Sequence, residues 1–511
     1  MQQRTERRAR TAPEVVAVIG ASGFVGRLIV PALALRCREL RCLSRDPARL
    51  PERLPERAVR VRADLLEPSS LEPALRGADA VFYLAHSLGE SDAFDRTEAE
   101  AARNLAEVAA RSGLRRIVYL GALAQLPRGA AEGSPHAVRE GSPHVVSESS
   151  PHVASRHRVG EILRAGGVPV SELRASVVIG AGSMPFEVVR ALVERLPVMI
   201  TPRWVRMPIQ PIAESDLVRY LLAALDEPGD ASPIYEIGGA SVASYAELMR
   251  SYARARGLRR LMLPVPVVTP RLSSLWLKLV TPAHFALGRR IVASAEHPSV
   301  VADDTAERRF AIAPMALDEA VRTALASEAL RLSEPELDAA APVPEHEARL
   351  VGTRFFERRS TFVAVEPEDC FEAIGRIGGE RGWYWGDWLW RLRGALDRLV
   401  GGPGLRRRAR PSNPPRAGEP LDFWTVARCD PGRRLVLRAD MRLPGEAWLD
   451  LRVRPVAGGC RIEQVASFDA RGLLGILYWT LLRPLHSLVF TGMLRGIAAA
   501  AARGVSAEPM P

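Results

Sequence analysis

Residues 15–26 read Val-Val-Ala-Val-Ile-Gly-Ala-Ser-Gly-Phe-Val-Gly, and no other stretch constrains the fold as much. A short β-branched apolar run ends at Gly20, glycines recur at Gly23 and Gly26, and an amphipathic pattern follows through Leu28, Ile29 and Leu33. Strand, glycine turn and helix start, in that order, are the context in which a glycine triplet signifies dinucleotide binding. The first glycine permits a tight turn and the second lets backbone approach a pyrophosphate. The third lets helix and strand pack closely, with the phosphate at the positive end of the helix. Ala21, Ser22, Phe24 and Val25 complete the turn, so Gly20 to Gly26 is the expected cradle.

The spacing is Gly-x-x-Gly-x-x-Gly rather than Gly-x-Gly-x-x-Gly. Further segments fall in register with it. Arg41-Cys-Leu-Ser-Arg-Asp-Pro47 reads as the end of a second strand, and Ala63-Asp-Leu-Leu66 as the turn after a third. Ala78 to His86 reads as a fourth strand, and Asn104 opens a helical pattern leading to a fifth at residues 116–120. Over residues 14–330 this arrangement resembles the extended and atypical branches of the short-chain dehydrogenase/reductase superfamily, closest to the NmrA-like and complex-I accessory-subunit branch. The resemblance implies an α/β fold, a doubly wound parallel Rossmann sheet that binds NAD(P). It adds Asp64, Leu65, Leu84, Ala85 and His86 to the expected cofactor contacts. Strand ends on the carboxyl side also bring Tyr83 and Ser87 to that edge. An acid at the end of the second strand would bind a ribose 2′-hydroxyl. Ser44 and Arg45 stand there instead, and a cation suits a 2′-phosphate, so NADP(H) is expected over NAD(H).

The same family uses a Ser to orient a carbonyl, a Tyr to donate a proton, and a Lys four residues later. This chain departs at all three. The strand end reads Tyr119-Leu-Gly-Ala-Leu123, and the helix reads His152-Val-Ala-Ser-Arg156. Lys278 is the only lysine, so Tyr-x-x-x-Lys occurs nowhere. His152 is the candidate proton donor, since imidazole titrates near neutrality, and Arg156 the candidate ribose contact. The plain alternative has His152 capping a helix. Two function classes follow: an NADPH-dependent oxidoreductase for an apolar substrate, or a non-catalytic dinucleotide-binding redox sensor or assembly factor.

The chain of 511 residues is long enough for two or three domains. Its formal net charge of +11 comes from arginines spread along the sequence, without the basic-aromatic motifs of a nucleic-acid reader. Five cysteines (Cys37, Cys42, Cys370, Cys429, Cys460) form no Cys-x-x-Cys pair, which argues for a reducing compartment, without a disulfide framework or structural zinc. Residues 133–156 repeat an octapeptide with Ser-Pro-His at its centre, placing His136, His144 and His152. A duplicated surface loop accounts for it, and no metal is expected. The basic start runs straight into a glycine-containing strand, unlike a secretory signal.

Expected boundaries are a basic tail at 1–13, the Rossmann domain with a small substrate lobe at 14–332, a Pro/Ala/Glu-rich linker at 333–350, a second domain at 351–504 and a tail at 505–511. The second domain reads as strand, helix, a tryptophan-rich stretch (Trp383, Trp385, Trp388, Trp390), four strands and a long apolar helix from Gly472 to Ala502. That order resembles the α+β helix-grip (START-like) folds, and the chain resembles bacterial proteins joining an atypical reductase domain to such a domain. Trp424, Trp448, Phe468, Tyr478, Trp479 and Phe490 are the expected lining for a small apolar molecule or lipid. Arg483, Pro484, His486 and Arg495 interrupt the long helix, so no transmembrane span is expected. The expected location is cytoplasmic, with room for peripheral contact at the inner membrane face.

Overall fold

The computed structural model describes residues 13–51, 54–85, 94–123, 151–265, 295, 297–333, 346–351, 354–406 and 414–504. His86, Ser87, Lys278 and the first two octapeptide copies lie outside the described residues, as does the His152 side chain. The chain divides into two compact units, one comprising residues 1–192 and 198–327, the other 193–197 and 328–511.

The first unit is built on seven parallel strands: β1 (Val15–Ile19), β2 (Glu39–Ser44), β3 (Ala58–Arg62), β4 (Ala80–Tyr83), β5 (Arg116–Ala122), β6 (Val170–Ala175) and β7 (Ile234–Ile237). Their order across the sheet is β3-β2-β1-β4-β5-β6-β7. All five residues of β1 are buried, as a central strand covered on both faces requires. Helices α1 (Phe24–Ala34), α2 (Pro68–Leu75), α3 (Phe94–Ser112), α4 (Pro151–Ala165), α5 (Met184–Arg195) and α6 (Glu214–Leu225) follow in chain order. One face of the sheet is covered by α1 and α6 through Ile29, Leu33, Leu217 and Leu221. The other is covered by α2, α3 and α4 through Leu71, Leu105, Val159 and Leu163. Chain order reverses between β1 and β4, so a crevice opens beyond their carboxyl ends, the Rossmann switch point. The doubly wound reading holds, and beyond β6 Val178–Ile179 pairs in parallel with Ile212–Ala213.

One ion cluster braces this sheet. Glu172 on β6 is fully buried and is held by Arg164 from α4 and by Arg174 Nε at 2.7 Å. Both guanidiniums keep an edge in solvent.

The second unit holds a seven-stranded antiparallel sheet. Its strands are β8 (His346–Val351), β9 (Arg354–Val363), β10 (Pro420–Leu421), β11 (Trp424–Asp430), β12 (Arg434–Ala439), β13 (Gly445–Val456) and β14 (Gly459–Ala470), ordered β8-β9-β14-β13-β12-β11-β10. Between β9 and β10 run α10 (Pro367–Gly375) and α11 (Asp387–Leu399), numbered after α7 (Tyr245–Ala255), α8 (Thr305–Phe310) and α9 (Leu317–Ser333) of the chain; α12 (Gly472–Arg503) closes the unit. A strand thus begins at His346, inside the segment whose composition reads as linker. The core joins the sheet to α12: Trp479 stacks on Phe468 at 5.2 Å and on Phe355 at 5.8 Å. Burial beside these rings pushes the His486 imidazole down to about 4, so the residue is neutral in its place.

Two expectations change here. Trp448 is buried but absent from the core that takes Leu449 and Leu451, because side chains alternate along β13 and Trp448 falls on the other sheet face. Cys370 of α10 and Cys460 of β14, 90 residues apart in sequence, are brought together in the core, a pairing that scattered spacing did not suggest.

Because Glu172 is the fully buried partner of two arginines that keep an edge in solvent, Glu172→Ala is expected to cost about 1–3 kcal/mol through the lost charged hydrogen bonds. Urea unfolding followed by circular dichroism checks this; a change below about 0.5 kcal/mol, the scale of a surface substitution, would show that the cluster braces nothing.

Candidate cofactor site

The turn after β1 is dictated by contacts that only glycine tolerates. Gly20 has φ +87°, and a Cβ there would stand 2.6 Å from the Ala85 amide nitrogen at the end of β4. A Cβ on Gly26 would collide with the Gly20 carbonyl oxygen and Ala21. Gly23 is different: it is exposed, donates its amide to the Gly20 carbonyl at 2.9 Å, and that oxygen, at 3.2 Å, is all an added Cβ would meet. The first and third glycines are therefore needed for packing, while the second leaves open space above the turn. Gly23 is also the N-cap of α1, with no side chain capping that end and no acid in the first turn. The amides at Phe24, Val25 and Gly26 open this positive helix end. Ala21 is buried beneath the turn and Ser22 half-buried on it.

Phe24 links the turn to the segment after Val178–Ile179. A Cβ on Gly180, just past Ile179, would stand 2.8 Å from the Phe24 ring and collide with the Glu214 carboxylate at the start of α6.

At the end of β2, Ser44 Oγ donates to the Asp46 carbonyl at 2.8 Å and closes the bend. Arg45 is exposed and makes no hydrogen bond or ion pair with the described residues. Asp46, the nearest acid, is engaged locally: Oδ1 accepts the Ala48 amide at 3.1 Å, and Oδ2 lies 3.5 Å from Arg49. Ser44 pairs in register with Arg62 on β3, which is likewise exposed and unpaired. Two cations without a partner among the described residues thus flank one strand end. Sequence reading missed Arg62, because only the β2–β3 register brings it beside Ser44.

Asp64 and Leu65 form a locked rim. Asp64 Oδ1 accepts the Leu66 amide at 3.0 Å, and the Leu65 carbonyl accepts Asn104 Nδ2 at 2.9 Å. Leu84 donates its amide to the Ile19 carbonyl at 3.0 Å and is buried, with Ala85 half-buried beside Gly20.

The segment His152 to Arg156 lies on α4. His152 lies in its first turn. Arg156 is buried and donates to the Leu120 carbonyl, with its guanidinium 5.4 Å above the Tyr119 ring. Tyr119 Oη donates to the Arg156 carbonyl at 2.9 Å, and burial pushes its phenol up to about 12. These two residues hold α4 against β5. His157, not singled out in the sequence, places Nε2 3.0 Å from the Ala122 carbonyl; burial, then Arg174, lowers its pKa, leaving it neutral.

Residues 20–169 match the family described as NAD(P)H-binding, and residues 350–493 match one described as a protein of unknown function (DUF2867). Cinnamoyl-CoA reductase 1 of Oryza sativa subsp. japonica is 34% identical over 113 residues, covering 21% of this chain and 33% of that protein. The chain therefore spans about a third of the length of the curated relative that it matches. Among solved structures, a Citrobacter sp. triphenylmethane reductase is 17% identical with a TM-score of 0.48, covering 61% of this chain and 99% of its own. A Staphylococcus aureus nucleoside-diphosphate-sugar epimerase is 16% identical with a TM-score of 0.47, covering 60% and 99%. An Escherichia coli NADPH-dependent quinone oxidoreductase is 17% identical with a TM-score of 0.45, covering 61% and 99%. Residues 20–169 are an NAD(P)H-binding Rossmann-type domain, and the glycine turn fits that group.

Gly26→Ala is expected to lower stability by about 1–3 kcal/mol through overpacking, and to weaken dinucleotide binding with it. Thermal melts and NADPH fluorescence titration check both; an unchanged melting temperature and affinity would contradict the packing role.

Proposed function

We propose that this chain is an NADPH-linked oxidoreductase whose substrate is apolar and which works without the Ser-Tyr-Lys route. The observation carrying this reading is the glycine cradle with Arg45 and Arg62 free at the adjoining strand ends, while Asp46 is engaged by its own turn. Open amides at the start of α1 would hold the pyrophosphate, and the two guanidiniums would take a 2′-phosphate through charge-assisted bonds. Asp64 and Leu65 would border the adenine, and Leu84 and Ala85 would floor the crevice. Bound NADPH would supply a hydride.

What the protein lacks shapes the substrate class. The end of β5 reads Leu120-Gly-Ala-Leu123 with no hydroxyl side chain, Arg156 is committed to the Leu120 carbonyl, and neutral His157 faces the Ala122 carbonyl. A simple ketone needs a proton as its alkoxide forms. A quinone accepts a hydride to give a delocalised phenolate that water itself protonates. Electron-poor conjugated acceptors of this kind suit these residues, with His152 kept as the donor candidate. The non-catalytic alternative, a redox sensor or assembly factor, draws on the same missing groups. For the second unit, the order of sheet and closing helix supports the START-like reading.

Calorimetry is expected to show NADPH binding at least about tenfold more tightly than NADH, in line with about 1.5–3 kcal/mol for hydrogen bonds to charged groups. Arg45→Ala should remove most of that difference, and Arg45→Ala/Arg62→Ala all of it. Equal affinities in the wild type would overturn the 2′-phosphate assignment. In an NADPH-oxidation screen, quinones should be reduced and simple ketones left untouched. Rapid ketone turnover unaffected by His152→Ala would contradict the account of the missing donor, and inertness toward every acceptor would favour the sensor reading.

A further inference from the structure

The second unit carries apolar surface that its own fold does not use. Helix α12 packs Trp479, Phe490, Met493 and Ile497 inward. On its opposite side Leu474 (76% exposed), Leu477, Leu481 (75%), Leu485 and Leu488 follow one another at helical spacing. Helix α11 repeats the pattern. Trp390 and Gly394 face the core, whereas Trp388 (67%), Leu392, Leu396 and Leu399 (84%) form an exposed stripe. Single exposed leucines are ordinary, but two continuous stripes of them mark a binding surface. The two helices belong to one neighbourhood: Tyr384 and Trp385, in the turn leading into α11, lie against Gly496 and Gly492 of α12.

Charge decides what covers this surface. Arg391 and Arg398 border the α11 stripe, and both are exposed without an ion pair among the described residues. On α12, Arg495 stands about five turns after Leu477 on the leucine side and is exposed in the same condition, whereas the exposed Arg483 falls off the stripe. Helix α12 contains no acid at all. Of the two acids in α11, Asp387 is half-buried and accepts the Trp383 amide at 3.1 Å, and Asp397 is buried and accepts the Gly404 and Arg442 amides. Every well-exposed charge on these helices is therefore positive. A second copy of the chain would set arginine against arginine. A membrane-spanning role for α12 is opposed by the sheet packed on its inner face and by Arg483 and Pro484 at its middle, although its length and composition suffice to cross a bilayer.

We propose that the second unit docks peripherally on an anionic phospholipid bilayer, with the leucine stripe of α12 and the Trp388–Leu399 stripe of α11 entering the interface and the arginines meeting lipid phosphates. Apolar stripes bordered by arginine are the pattern of helices lying in the plane of a membrane surface. Anionic lipid then adds an attraction that salt weakens. The proposal is independent of the cofactor reading.

The test is co-sedimentation of the full chain with phosphatidylcholine vesicles, with and without phosphatidylglycerol. The wild type is expected to pellet with phosphatidylglycerol vesicles and much less without them. Leu474→Ser/Leu481→Ser and Arg391→Gln/Arg398→Gln should each weaken binding about tenfold or more, with circular dichroism unchanged because all four positions are exposed. The proposal is overturned by a wild type that stays in the supernatant with both vesicles, or by leucine variants that bind equally well. A wild-type dimer that the leucine changes dissolve, without vesicle binding, would make the face a self-interface. Resistance to alkaline carbonate extraction from membranes would make α12 a span.

Discussion

The first unit depends on one close approach. Where β1 ends, the chain must turn sharply while passing over the end of β4, and the Gly20 position leaves 2.6 Å between an added Cβ and the Ala85 amide. No side chain fits. That crowding fixes the turn, the turn aims the first amides of α1 outward, and the third glycine lets α1 lie down on the sheet. A geometry suited to a phosphate is thus a by-product of packing: a helix start brought close to the ends of β1 and β4, with no side chain capping its first amides.

The electrostatics around the crevice follow from where each charge is already engaged. Asp46 caps its own turn and pairs with Arg49, leaving no free carboxylate beside Arg45. Arg156 is drawn to the Leu120 carbonyl and the Tyr119 ring. A guanidinium forks and stays charged where an ammonium would point and could lose its proton.

Most of the architecture was legible before any coordinates because it rests on local periodicities. The glycine triplet, the apolar β1 and the strand–helix alternation announced the parallel sheet, and five strands of the second unit (β9 and β11 to β14) follow the expected order, while β8 and the short β10 were not foreseen. What escaped depends on pairings between distant residues. Arg62 becomes relevant only through its register with Ser44, and Cys370 meets Cys460 only once α10 lies across the sheet. Trp448 looked like core by type, yet a one-residue shift in a period-two strand decides the face. The two exposed stripes of the second unit were hidden for the same reason: α12 is apolar all round in sequence, and only its contacts separate the packed side from the free one.

Hydrogen exchange with and without NADPH tests the central claim most directly, because it reports where the cofactor sits without relying on turnover. Slowed exchange is expected across Gly20–Gly26, at the ends of β2 and β3 around Arg45 and Arg62, and at Leu84–Ala85, with residues 354–504 unchanged. No protection at Gly20–Gly26, or protection confined to the second unit, would contradict the assignment of this turn as the dinucleotide site.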